Sequence, residues 1–286
     1  MPISLSRAIR RAIPALPACL ALVIAATAAA QQSDDDWLER CRRQSHDDDR
    51  AHACEVRHTG LAATGAVQVN GGTDGGASVR SWDRDSIDIS ARIQTSAESD
   101  ERARELARDI RIVTTDGHIR AEGPDLQEHD ESWSVVFMLS VPRHTDVDVT
   151  AVNGPVSVRG VTGRMSLQTT NGPVALSEVG GDVTARTTNG PVVVRLAGDR
   201  WDGNGLDAET TNGPVVLRIP ENYSAQLDVG TSNGPLVLGI PITVQGRIHS
   251  HVTTQLGSGG ASIRVMTTNG PLRLERASTG QEGGEE

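Results

Sequence analysis

From residue 147 to residue 274 apolar and polar residues alternate with a period of two, which predicts strands buried on one face. Asn-Gly-Pro punctuates the alternation at 153–155, 171–173, 189–191, 212–214, 233–235 and 269–271. After each motif the inward pairs are Val156/Val158, Val174/Leu176, Val192/Val194, Val215/Leu217, Leu236/Leu238 and Leu272/Leu274. Before it the same face carries sets such as Met165, Leu167 and Thr169, or Val183, Ala185 and Thr187. Counting by twos continues this face to the Asn itself. The phase never slips, so the longer segments at 197–205 and 219–224 belong in the opposite corner.

Successive Asn residues are 18, 18, 23, 21 and 36 residues apart. Two strands and two corners per ~18 residues describe one coil of a β-solenoid. The predicted fold class is therefore all-β, a parallel β-helix-like solenoid with coils about 4.8 Å apart. The last interval is twice 18, which places a coil without the motif near 251–260, where Leu256-Gly257-Ser258-Gly259-Gly260 stands. Stacking in sequence order lays Asn153, Asn171, Asn189, Asn212, Asn233 and Asn269 into a ladder of side-chain amides. Such a ladder satisfies a polar group that is costly to bury alone. Gly supplies the backbone freedom of the corner, and Pro can begin a strand, where its missing N–H does least damage.

Ahead of residue 147 the same alternation is present but less regular, at 66–69, 77–82 and 87–93. Gly75-Gly76-Ala77-Ser78-Val79-Arg80 echoes Gly259-Gly260-Ala261-Ser262-Ile263-Arg264. Between 96 and 108 the period changes: Ala103, Leu106, Ala107 and Ile110 follow helical spacing, and Ser96 or Ser99 can cap the start. One inserted α-helix is expected there, with strands resuming at 110–113, 118–121 and 133–141.

The first thirty residues read as an address. Arg7, Arg10 and Arg11 precede an apolar run over 12–26, then Ala28-Ala29-Ala30, the pattern of a secretory signal peptide cleaved after Ala30. Cys19 sits in a loose lipobox, but the apolar run continues past it. Cys41 and Cys54 remain, and an even pair in an oxidising compartment reads as a disulfide contributing roughly 3 kcal/mol. The alternative is a metal site with His46, Asp47, Asp48, Asp49 and His52, although the spacing fits no standard pattern. The resulting organisation is a signal peptide (1–30), an N-terminal disulfide-bearing cap (31–58), a solenoid (59–276) and a disordered tail (277–286). A cap is needed because open solenoid ends recruit other chains.

Composition narrows the picture. Aromatic residues are 2% of the 286, which excludes an aromatic core. All 27 basic residues are Arg, against 37 acidic ones, for a net charge of −10. The signal segment holds three Arg and no acid, so its removal leaves −13. That balance argues against a nucleic-acid partner. No later stretch is apolar enough to span a bilayer, so the mature chain is expected to be periplasmic or secreted.

The search for chemistry finds no nucleophile elbow, phosphate loop or zinc spacing, and no cofactor is implied. A glycan-acting β-helix enzyme would need clustered carboxylates. Inward positions carry none, but sequence-order stacking puts Asp207 beside Asp228 on the outward face, with Glu209 nearby. These form a candidate Ca²⁺ site unless Arg186 neutralises them. His249 and His251 have no obvious partner. More suggestive is an outward apolar stripe of Ala175, Val193, Val216 and Val237 beside a column of Arg159, Arg195 and Arg218. Either the inserted helix or a terminal segment covers it, or it is a partner surface for an acidic and apolar ligand, such as an anionic lipid headgroup or a peptide.

The signal peptide, Cys54-Glu55-Val56-Arg57, Ser81-Trp82-Asp83-Arg84, the inserted helix and the Thr-x-Asn-Gly repeats resemble the bacterial secreted β-strand-repeat "putative adhesin" family of unknown function, over residues 54–276. The resemblance implies the architecture and carries no catalytic residues. The expected role is a non-catalytic, envelope-associated binding or scaffolding module, its partner an unidentified envelope protein, peptide, glycan or lipid. The alternatives are a glycan-acting enzyme and an envelope-stress component that binds peptides or lipids.

Overall fold

The structure, a computed structural model, describes residues 33–43, 50–126, 131–241 and 250–277. Strands are numbered in chain order and form two ten-stranded sheets that face one another. The first sheet runs β1 (Ala51–Ala62), β4 (Ser86–Ala97), β7 (Ser132–Pro142), β3 (Gly76–Trp82), β9 (Val156–Arg159), β11 (Val174–Ser177), β13 (Val192–Arg195), β15 (Val215–Ile219), β20 (Leu272–Arg276), β17 (Leu236–Leu238). The second runs β18 (His251–Leu256), β16 (Ala225–Asn233), β19 (Ser262–Asn269), β14 (Gly205–Asn212), β12 (Gly180–Asn189), β10 (Thr162–Asn171), β8 (Asp146–Ala151), β2 (Ala66–Asn70), β6 (His118–Glu122), β5 (Arg111–Thr115). The fold is the expected all-β solenoid. Each repeat places one strand in the second sheet, turns at Asn-Gly-Pro, and places the next strand in the first.

The alternation explains the core. Val174, Val192 and Val215 stand in register, as do Leu176, Val194 and Leu217, and all are buried between the sheets. A second regularity lies at the corner. Two residues before every motif Asn except Asn153, which has Ala151 there, an inward Thr donates its hydroxyl to the carbonyl of a motif Gly on the neighbouring coil. Thr187 reaches Gly172 at 2.9 Å, Thr210 reaches Gly190 at 2.8 Å and Thr267 reaches Gly213 at 2.9 Å. The motif Gly is small because the coils touch there. A Cβ on Gly172, Gly190 or Gly213 would lie 2.1 Å from the carbonyl oxygen of the next coil's Gly. Close backbone approach is therefore the main reason for Gly at this position.

The stacking order differs from the sequence order. β19 pairs in parallel with both β14 and β16, and β20 pairs with both β15 and β17. The last coil of the chain is thus slotted between the coils of Asn212 and Asn233. The cause is β18. It does not begin another parallel coil near 251–260 but pairs antiparallel with β16, so the chain doubles back and its final coil enters the gap. The Gly75–Arg80 echo also separates: Ser78 and Arg80 lie in the first sheet, but Ser262 and Arg264 in the second. A pair of cross-links checks the order. V216C/R273C occupies directly paired positions and should oxidise readily. V216C/V237C is two strands apart, about 9.6 Å, beyond disulfide reach, and should stay reduced. Efficient closure of the second pair in the native monomer would restore sequence-order stacking.

The N-terminal region is not a run of regular coils. β1, β4 and β7 pair antiparallel, and β7 then joins β3 in parallel. The inserted helix, α2, covers Asp100–Asp109. Ser99 caps it by accepting from Arg102 N, and Ser96 lies inside β4. Ala103 and Leu106 form a small apolar cluster with Ala97 on the inner side of β1 and β4. Of residues 31–58, expected to form a cap, 33–43 make a helix, α1, and 51–58 belong to β1. Cys41 and Cys54 are joined as a disulfide. The signal segment, His46 to Asp49, His249 and tail residues 278–286 lie outside the described residues. No described helix is long and apolar enough to cross a membrane.

Candidate functional site

The outer face of the first sheet carries two adjacent columns. One reads Ser90, Met138, Ser78, Ser157, Ala175, Val193, Val216, Arg273, Val237 across successive strands. The other reads Asp88, Ser140, Arg80, Arg159, Ser177, Arg195, Arg218, Glu275. Val193 and Val216 are neighbours, but Arg273 of the slotted coil separates Val216 from Val237, which is 48% exposed. The apolar strip is therefore shorter than sequence-order stacking implies. Arg159 contacts Glu178 at 3.3 Å and Arg218 contacts Glu275 at 3.3 Å. Arg80, missed in the sequence, extends the Arg column and donates to Ser140 at 3.0 Å. Its signal was available: Ser78-x-Arg80 repeats the Ser157-x-Arg159 pattern of the paired strand.

The inserted helix does not cover this strip, because α2 packs on β1 and β4 from the inner side. α1 is the element on the outer face, at the β1–β4 end. Asp34 is buried there. It accepts from Arg92 Nε at 2.9 Å and from Ser90 Oγ at 3.0 Å, and His58 Nε2 lies 3.4 Å away. The Arg92 guanidinium sits 5.7 Å from the Trp37 ring, and the disulfide holds the far end of α1 to β1. Ser90 belongs to the same column as Ala175 and Val193. One end of the face is thus filled by an acid-bearing helix, and nothing among the described residues covers the Val193–Val216 end.

The outer face of the second sheet holds the carboxylates. Asp207 and Asp228 are not adjacent, because Arg264 of the slotted coil stands between them in register. Its guanidinium meets Asp207 at 2.6 Å, Glu209 at 3.7 Å and Asp228 at 3.9 Å. Arg186 meets Asp207 at 2.9 Å. The hydrogen bond to Asp207 raises the Arg264 pKa against the opposing effect of burial, and the charges of Asp207, Glu209 and Asp228 add to the rise. His251 pairs with Asp228, and Thr253 donates to the same carboxylate at 3.0 Å. The expected cation is replaced by an internal one. The reason is topological: only the slotted coil can bring Arg264 between these two strands.

The Asn residues make a continuous ladder, at an exposed corner and not in the interior. Asn171 donates to Asn153 at 2.7 Å, Asn189 to Asn171 at 2.8 Å and Asn212 to Asn189 at 2.9 Å. Asn269 then donates to Asn212 at 2.8 Å, and Asn233 to Asn269 at 2.9 Å. Asp74 accepts from Asn153 at 2.9 Å and closes one end. The carboxamides face solvent but spend their hydrogen bonds on each other.

Comparison with known proteins gives a family. The model of the family described as Toastrack DUF4097 matches residues 85–275. No curated protein matches the chain. Among solved structures, a "putative cell adhesion protein" from Clostridium sporogenes aligns over 79% of this chain and 100% of its own, with 11% identity and a TM-score of 0.45. A "putative adhesin" from Bacteroides fragilis covers 79% and 97%, with 9% identity and a TM-score of 0.36. A "putative lipid binding protein" from Parabacteroides distasonis covers 77% and 96%, with 8% identity and a TM-score of 0.29.

Proposed function

We propose that this chain, which belongs to the Toastrack DUF4097 family, is a non-catalytic binding module that works outside the cytoplasm. Its partner is an acidic, partly apolar peptide segment seated on the outer face of the first sheet. The observation that carries this reading is the half-filled face. α1 occupies one end through Asp34, and the same columns continue uncovered as Val193, Val216, Arg195 and Arg218. An Arg column in a chain of net charge −10 favours a carboxylate-bearing ligand, and the apolar strip beside it favours one with an apolar side. The Cys41–Cys54 disulfide supports an oxidising compartment.

A photo-reactive residue in place of Val216 tests the reading, with cross-linked segments from an envelope extract identified by mass spectrometry. The expected product is one recurrent acidic, amphipathic segment. It should be lost in R195E/R218E and in V193R/V216R, each shown to fold by circular dichroism. Capture unchanged by both variants would remove the face from consideration. Recovery of anionic lipid in place of peptide would keep the face and change the ligand class.

A further inference from the structure

We infer that Asn233 is a site of spontaneous deamidation and isoaspartate formation, selected from six chemically identical Asn-Gly-Pro corners by its place in the stack. In an Asn-Gly step the Gly backbone nitrogen attacks the Asn Cγ. The N–Cγ bond forms, the Cγ–Nδ2 bond breaks, and ammonia leaves with the proton lost by the Gly nitrogen. Water then opens the cyclic imide at either carbonyl, giving aspartate or isoaspartate. The step needs a free Gly N–H and a side chain able to turn toward it.

Four corners deny both conditions. The N–H of Gly172, Gly190, Gly213 and Gly270 each donates to an Asn carbonyl of the next coil at 3.0 Å. The corresponding amides are held on both sides by the ladder. Asn171, Asn189, Asn212 and Asn269 each donate to one neighbour and accept from the next. Asn153 is fixed between Asp74 and Asn171, and Gly154 is buried. Asn233 differs because its coil ends the stack. It donates to Asn269, but among the described residues nothing donates to its Oδ1 and nothing accepts from Gly234 N. Both residues are exposed.

This selection depends on the slotted coil. Stacking in sequence order would make Asn269 the terminal rung and would enclose Asn233. The consequence is local: isoaspartate adds a methylene to the backbone just before β17, whose pairing with β20 begins at the Leu272 N to Pro235 O bond of 3.0 Å.

Cleavage at Arg puts each of the six corners in a separate peptide. The intact protein is held in mildly alkaline buffer, native and in urea, and conversion is followed by peptide mapping with isoaspartate detection. In urea all six should convert, which calibrates the chemistry. In the native protein Asn233 should convert at least about tenfold faster than Asn171, Asn189, Asn212 and Asn269, whose reaction requires local opening of the stack. Asn204, exposed just before β14 and outside the ladder, supplies a native reference, told apart from Asn212 in the same Arg peptide by its fragment masses. Equal rates at all six corners, a fastest rate at Asn269, or an Asn233 as slow as the enclosed four would each overturn the inference.

Discussion

Gly190→Ala should destabilise the protein by about 3 kcal/mol or more, an overpacking cost taken by backbone and not by side chains. The new Cβ would stand 2.1 Å from Gly172 O and 2.6 Å from Gly172 C. No rotamer relieves this, so the two coils must separate or tilt. The separation strains the Gly172 N to Asn189 O bond of 3.0 Å and the Thr187 hydroxyl bond to Gly172 O of 2.9 Å, both of which join these two coils. It also loosens the rung of the amide ladder between Asn189 and Asn171. Gly60→Ala is the control, because a Cβ there meets nothing within 4 Å. Urea unfolding followed by circular dichroism compares the two. A large drop in midpoint for Gly190→Ala beside a near-unchanged Gly60→Ala is expected. Equal midpoints would mean that the coils are not in backbone contact at this corner.

Phe137→Ala should cost about 3–5 kcal/mol, the range for emptying a buried aromatic site. Phe137 is the only Phe in the chain and is 0% exposed. Ala91 on β4 and Ala77 on β3 stand directly opposite it on either side, so one large ring fills the space that two small residues leave. Neither Ala can expand to refill the cavity. A net stability of 5–15 kcal/mol is typical of a domain, so the loss would be a large fraction of it. Phe137→Leu keeps much of the volume and should cost roughly 1–2 kcal/mol. Equilibrium unfolding of the three proteins gives the order. A loss below about 1 kcal/mol for Phe137→Ala would show that the junction of antiparallel and parallel strands is loosely packed.

The candidate binding face was only partly legible beforehand. Val193, Val216, Arg195 and Arg218 could be read from the repeat because they sit in consecutive coils of constant phase. Val237 could not be placed, because the repeat carries no mark of a coil inserted later. The same blindness made Asp207 and Asp228 look like neighbours. Arg264 carries an outward position in the alternation, but nothing in the sequence says that it falls between them. The contact of Asp34 with Arg92 and Ser90 was invisible for another reason. It joins a helix to a strand nearly sixty residues away, and no periodicity relates them.

What the chain determined by itself is local and periodic. Alternation set which residues face the core. Asn-Gly-Pro set the corner, because coils in contact leave no room for a Cβ and each carboxamide can bridge to the next. The helical spacing of Ala103, Leu106 and Ala107 marked α2. Only the tertiary structure decided the order of the coils, the side of the first sheet that each helix covers, and which Asn ends the ladder. The physical reason is that parallel pairing in identical coils is nearly degenerate: any coil presents the same backbone and the same inward Val, Leu and Thr to any other. The choice falls to singular contacts, namely the antiparallel return of β18 onto β16 and the fit of Arg264 between two acidic strands.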